Sequence, residues 1–305
     1  VHIHTKLISC ISLTGVCIGS YLHLSAGLPL EDIKRVETAE QGSSEPTSTD
    51  SAPNRVSSKP AEADSANADP ADAADNKAFD ELQSRLASAE ASAAELDCYT
   101  AVLEMREQLS EGPPPQKSVS VKIRREPFSV YMRWEDSGQE ALFVEGENDN
   151  RMLVKPTKGL TMLKRMWRLD PDSRMARQSC RYPITDTGVE RLAARVNEFY
   201  TTRTDWPEVT VCRRSIISVA GTDAVEFDVQ FRDQTISPDF SRSRYFFKRE
   251  DGFLIGLENY DWSGGGQKAE LVERYVYHSI DSDVELADED FDQKNPEYAF
   301  VSGPR

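Results

Sequence analysis

The sequence predicts an α+β fold in which a large antiparallel sheet of about ten strands curls into an unclosed β-barrel covered by two helices. Three observations lead there. Beyond residue 119, short segments alternate apolar and polar side chains, and tight turns rather than helices join most of them, which makes the sheet antiparallel. Two other stretches repeat their apolar residues every three or four positions, one ahead of the strands and one among them. A sheet of that size does not stay flat.

The clearest alternation is VSVKIRREPFSVYMRW, residues 119–134. Val119, Val121 and Ile123 share one face, Ser120, Lys122 and Arg124 the other. After the Arg125-Glu126-Pro127 interruption, where proline cannot join the ladder, Phe128, Val130, Met132 and Trp134 face opposite to Ser129, Tyr131 and Arg133. Further strands are expected at residues 140–145, 151–155 and 161–169, then at 209–219, 224–232, 244–249, 253–262 and 269–280.

The first helix is expected over residues 77–112. Phe79, Leu82, Leu86, Ala89, Ala93, Leu96, Tyr99, Val102 and Leu103 recur at helical spacing, and Pro113-Pro114-Pro115 forbids continuation. Its alanine- and glutamate-rich first half reads as a stalk. The second helix carries Val189, Leu192, Val196, Phe199 and Tyr200, and Thr187 to Glu190 have capping-box spacing. Residues 113–305 are then a curled sheet domain with one inserted helix.

Ahead of the domain, residues 1–26 hold one lysine and an apolar run ending in Leu24-Ser25-Ala26, the pattern of a secretory signal. The run is also long enough to stay as a membrane anchor, and Leu7-Ile8-Ser9-Cys10 fits a lipobox. All three imply export to the periplasm or cell envelope. Residues 27–76 are acidic and rich in Ala, Ser and Pro, too poor in large apolar residues to offset their ordering entropy, so a disordered tether is expected. A net charge of −16 excludes a nucleic-acid partner, which would require a basic field.

The segments LDCYTAVLEMRE, KIRREPFSVYMRW, RYPITDTGVERL and EDFDQKNPEYAF together resemble domain-of-unknown-function family 1571 of exported bacterial proteins, over residues 96–300. In layout the chain is also similar to the LolA/LolB lipoprotein carriers. That resemblance implies an unclosed barrel wrapped on helices around an apolar cavity, which in the carriers holds acyl chains. It implies a lipid, acyl-chain or lipoprotein ligand; the alternative is a structural or sensory envelope module with a packed sheet interior that recognises a protein partner, and neither reading calls for a cofactor.

Phe128, Val130, Met132, Trp134, Phe143, Phe227 and Phe231, with Tyr245, either line such a cavity or form a plain core. Lys122, Arg124, Arg125 and Arg133 either meet a lipid head group or a partner at its mouth, or keep two strands soluble. Cys180 and Cys212 can pair, with Cys98 left over, or stay reduced. Lone His278 reads as packed or surface, and Asp281-Ser282-Asp283 lacks the glycine and final glutamate of a calcium loop. The sequence has no G-x-S-x-G, H-E-x-x-H or phosphate loop, so a non-catalytic role is expected. Two carboxylates converging in a cleft, one with a raised pKa, would instead mark a hydrolase. Export predicts that protease added to intact spheroplasts digests the domain; protection would overturn it.

Overall fold

The computed structural model describes residues 70–109, 115–156, 166–178, 180–202, 209–263 and 269–300. The expected export segment, most of the tether, residues 161–165 of one expected strand and residues 110–112 of the first helix lie outside the described residues.

The tether gives way to helix earlier than the composition suggests: α1 (Pro70–Ala93) includes its last residues. Nor is α1 a projecting stalk. Leu82, Leu86, Ala89 and Ala93 form a buried stripe, and Phe79 meets Tyr200 edge-on with ring centroids 5.8 Å apart. The larger correction follows. The helix expected to reach residue 112 stops at Ala93, and Cys98–Glu107 is a strand, β1. Tyr99 and Leu103 are four apart, a spacing that shares a face in both a helix and a strand. Tyr99, Ala101, Leu103 and Met105 are the buried alternate positions, and the two neighbouring strands decide the matter.

The chain continues through β2 (Gln116–Arg124), β3 (Ser129–Trp134), β4 (Glu140–Val144), β5 (Met152–Lys155) and β6 (Trp167–Leu169). A short helix, α2 (Arg174–Arg177), and a longer one, α3 (Val189–Thr201), carry it to the other side. There β7 (Val209–Val219), β8 (Thr222–Phe231), β9 (Arg242–Lys248), β10 (Leu254–Tyr260) and β11 (Leu271–Asp281) return toward the middle. The described residues form one eleven-stranded antiparallel sheet, ordered β6-β5-β4-β3-β2-β1-β11-β10-β9-β8-β7. β6 and β7 are its two open edges, so the barrel is unclosed.

Register puts the apolar set on one face. Ile123 lies opposite Val130 and Tyr99, Val121 opposite Met132 and Ala101, Val119 opposite Trp134 and Leu103. This face and the buried stripes of α1 and α3 make one continuous core. The helices pack on each other and lie over β7 and β10. The capping box expected at Thr187 is not formed. The N-cap is Gly188, at φ +130°, and a Cβ there would come within 2.6 Å of the Glu190 carboxylate. Tyrosines serve the helix start instead: Gly188 N–H donates to the Tyr277 hydroxyl at 2.9 Å and Val189 N–H to the Tyr99 hydroxyl at 2.8 Å.

The outer face carries a cross-strand ion ladder, Glu226–Arg244–Glu258–Arg274–Glu104. Burial alone would raise the Glu258 carboxyl. The Tyr260 hydroxyl and the Arg244 and Arg274 guanidiniums outweigh it and hold the group below its ordinary range. A carboxyl lowered by folding stabilises the domain above its unfolded value of about 4.3, and that contribution is lost as pH falls through the lower, folded value. Glu258→Gln is therefore expected to cost roughly 1–3 kcal/mol at pH 7, between an exposed and a buried pair. The difference from wild type should shrink below about pH 4 in denaturant melts; a pH-independent loss would contradict the ladder's role.

Candidate ligand cavity

Because α1 and α3 cover the β7–β10 side, the inner face of β3–β6 needs another cover. Residues 171–178 and 180–187 supply it, with α2 capped by the Ser173 hydroxyl and a 3-10 turn at Ile184–Asp186. This roof leaves a partly enclosed hollow of about 140 Å³ above β1, β3–β6 and β11. Its wall is mostly apolar, and Met105, Met132, Met152 and Met175 contribute to it, four of the chain's six methionines. Methionine is flexible and polarisable, so a wall of this kind adapts to what it holds.

One end of the hollow is polar. Glu107, 3% exposed, follows Leu103 and Met105 on the inward row of β1. Its Oε1 accepts from the Tyr275 hydroxyl at 2.6 Å and the Arg181 backbone N–H at 2.7 Å. Its Oε2 is buried and has no hydrogen-bond partner among the described residues. Directly across the ladder lies Glu273, fully buried. Glu273 accepts from the Tyr182 hydroxyl at 2.9 Å, Asn259 Nδ2 at 2.7 Å and Arg181 Nε at 2.9 Å. Burial raises its pKa, against the pull of Arg181, Asn259 and Tyr182. Burial, then Glu273 and Glu107, raise the Tyr275 phenol.

An adjoining acidic pair with one raised member is thus present. Its arrangement is not that of two carboxylates flanking a bond. Both Glu273 oxygens are engaged by protein donors, and one oxygen of Glu107 is buried without a hydrogen-bond partner among the described residues. Cys180, also in the wall, has its thiol pushed up to about 11 by burial and then by Glu107, so it is no thiolate nucleophile at neutral pH. Cys98, Cys180 and Cys212 are all free, and the Cys180–Cys212 bond left open by the sequence is not formed.

Of the residues singled out from the sequence, Met132 and Trp134 stand in the cavity wall. The others are packed. Val130 is fully buried opposite Ile123 and Phe143. Phe128 packs on Phe143 at 6.3 Å, beneath the Arg191 guanidinium. Phe227 meets Phe247 at 5.6 Å and Phe231 meets Phe199 at 5.9 Å, under the helices that fill that half. Tyr245 exchanges a hydroxyl contact of 3.2 Å with Tyr200 and borders a separate hollow beside Phe199 and Phe240. Alternation identified the inward face. It could not say which part of that face the helices fill.

The basic residues are not at the mouth. Lys122 and Arg124 alternate with Val121 and Ile123 and so project from the opposite face of β2. There Lys122 pairs with Asp290 at 2.7 Å over the Tyr298 ring, and Arg124 with Asp288 at 2.6 Å over the Phe291 ring. Arg125 binds Asp97 at 2.7 Å and the Ala94 carbonyl, past the end of α1. Arg133 is exposed. Lys122 and Arg124 clasp the C-terminal segment, as does a stack of Tyr131 on Tyr298 with centroids 3.8 Å apart.

A family model described as a protein of unknown function, DUF1571, matches residues 96–300. The chain belongs to the DUF1571 family. No curated protein matches it. Among solved structures, MucB is 16% identical with a TM-score of 0.41 over 71% of this chain, which spans 62% of the MucB chain. The Mycobacterium tuberculosis lipoprotein LppX is 11% identical, with a TM-score of 0.38 over 68% of this chain and 99% of LppX. A LolA superfamily protein of Nitrosomonas europaea is 12% identical, with a TM-score of 0.23 over 69% of this chain and 96% of that one. At these identities none of them assigns the DUF1571 chain a ligand.

Sequence reading missed Glu107, through the misread β1, and also Tyr275 and the roof of residues 171–178 and 180–187. As a strand, LEMRE puts Glu107 on the apolar row, where a carboxylate is conspicuous. Tyr298→Ala removes the stack over Tyr131 and is expected to cost about 2–4 kcal/mol, since both rings are buried. Limited proteolysis should then cut the C-terminal segment first; an unchanged digestion pattern would refute the clasp.

Proposed function

We propose that the domain works in the cell envelope as a non-catalytic binder of acyl chains, taking the end of a lipid or of a lipoprotein's acyl group into the methionine-lined hollow. The carrying observation is the hollow itself: the two long helices pack over one half of the sheet and leave the other under a thin roof. At about 140 Å³ it resembles cavities of ~150 Å³ that take a benzene ring, so it admits roughly six carbons. Six methylenes at ~0.8 kcal/mol each give about 5 kcal/mol, a sub-millimolar hold. That suits capture and release rather than storage. Met175, 50% exposed, extends apolar surface from the wall outward for the rest of a chain.

A second reading has a specific observation behind it. The Glu107–Glu273 pair favours a hydrolase, and it ranks second because Glu273 is spent on Tyr182, Asn259 and Arg181. An envelope interaction module with a packed interior is the third reading, and the hollow disfavours it.

Native mass spectrometry of the protein purified from membranes tests these readings. Wild type is expected to carry lipid-mass adducts. Ala141→Leu should lose them without losing stability, because the new side chain fills the hollow from β4, and Met132→Glu should lose them by making the wall polar. Lipid-free wild type, or adducts retained by both variants, would overturn the acyl reading. Adducts shortened with time would favour the hydrolase.

A further inference from the structure

We propose that the acyl site does not end with the methionine-lined hollow: it continues past Arg195 into a second hollow beside α3, so that the ligand it fits is an unbranched chain of about twelve carbons. This rests on the acyl-binding reading and adds to it the length of the chain and the path the chain takes.

The second hollow is partly enclosed, about 160 Å³, and lies between α3, β9, β10 and residues 237–240. Its wall is mostly apolar, with Val196, Phe199, Phe240, Tyr245 and Leu257. The buried polar side chains that the strands bring to it are spent on one another. The Ser243 hydroxyl donates to Asn259 Oδ1 at 2.6 Å, and Asn259 Nδ2 donates to Glu273 at 2.7 Å. An apolar chain lying there breaks none of these bonds. Among the described residues, Tyr182 and Arg195 alone belong to the walls of both hollows, so this pair is the partition between them. Its two halves are held unequally. Tyr182 donates its hydroxyl proton to Glu273 at 2.9 Å. Arg195 makes no hydrogen bond among the described residues. Its guanidinium lies over the Tyr182 ring at 3.9 Å and 4.0 Å from an Asp186 oxygen, and its side chain is 30% exposed. A ring contact and a part-exposed ion pair are weak holds, and a long arginine stem swings outward while its charge stays in water. Arg195 is therefore the half that moves. With it turned outward, spaces of about 140 Å³ and about 160 Å³ adjoin, each of the size that takes roughly six carbons.

The test measures 1-hexanol, 1-octanol and 1-dodecanol binding to the full chain by equilibrium dialysis at pH 7. Wild-type affinity is expected to keep rising past hexanol, by at least about tenfold from hexanol to dodecanol, against a ceiling of about fourfold per methylene. Val196→Phe adds volume at the wall of the second hollow alone. It should cut that rise to less than about threefold and leave hexanol binding as it is. Ser237→Leu fills the same hollow from residues 237–240 and takes its place if that variant does not fold. Arg195→Ala removes the gate and should tighten dodecanol more than hexanol, because the open arrangement no longer has to be reached. A smaller or equal effect on dodecanol would overturn the role of Arg195. Hexanol binding that Ala141→Leu abolishes, with no gain for the longer alcohols, would leave the first hollow as the acyl site and overturn the second. A gain that survives both Val196→Phe and Ser237→Leu would put the extra carbons along exposed Met175 and overturn it as well. If no alcohol binds, the acyl-binding reading fails and this inference with it.

Discussion

The pairing of β1 with β11 is the contact on which the rest of this molecule depends. β1 opens the first run of strands and β11 closes the second, so their ladder is what makes two meanders one sheet. The partners span most of the sequence: Leu103 lies opposite Tyr277, Met105 opposite Tyr275 and Glu107 opposite Glu273. Such a join has a high loop-closure cost and forms only when both halves are present. It also sets the inner row of side chains on which the cavity stands. The two buried acids and the tyrosines that start α3 come from these two strands, and the floor extends from β1 across β3–β6.

From that seam outward the two halves are treated differently. Over β7–β10, α1 and α3 supply large rings and aliphatic stripes, and the sheet's phenylalanines are consumed in packing. Over β3–β6 the cover is a segment broken by Pro171 and Pro183, with one short helix and a 3-10 turn. It cannot present a continuous apolar face, so the sheet below keeps space above it. Small Ala141 and four flexible methionines line that space, together with Trp134 and three tyrosines. The asymmetry of the cover thus decides where a ligand fits.

Much of this was legible in the chain. Period-two alternation located the strands after residue 119 and the face they bury. The failures at the seam share one cause. In residues 98–107 the helical and strand periods coincide at Tyr99 and Leu103, and nothing local separates them; pairing with residues far along the chain does. With β1 misread as helix, Glu107 became one more surface acid and the seam could not be seen. The basic cluster failed for another reason. Alternation put Lys122 and Arg124 on the outer face, but the acids that meet them there, Asp288 and Asp290, lie far along the chain, and sequence does not show that they return.

A hollow of this size has to be held open. Apolar walls left to themselves tend to collapse, since an unfilled cavity loses contacts on every side. Here the roof rests on polar posts. Arg181 is fixed by its backbone to Glu107 and by its side chain to Glu273, Tyr182 is fixed to Glu273, and Gly188 is fixed to Tyr277. Hydrogen bonds demand set distances, whereas dispersion contacts only reward approach. Two buried carboxylates on a central seam are expensive as stability devices, and apolar residues of similar volume would often do better. As spacers they do what apolar residues cannot: they fix Arg181 and Tyr182 at hydrogen-bond distances from the sheet. The buried acids of β1 and β11 are best understood as the frame of the cavity.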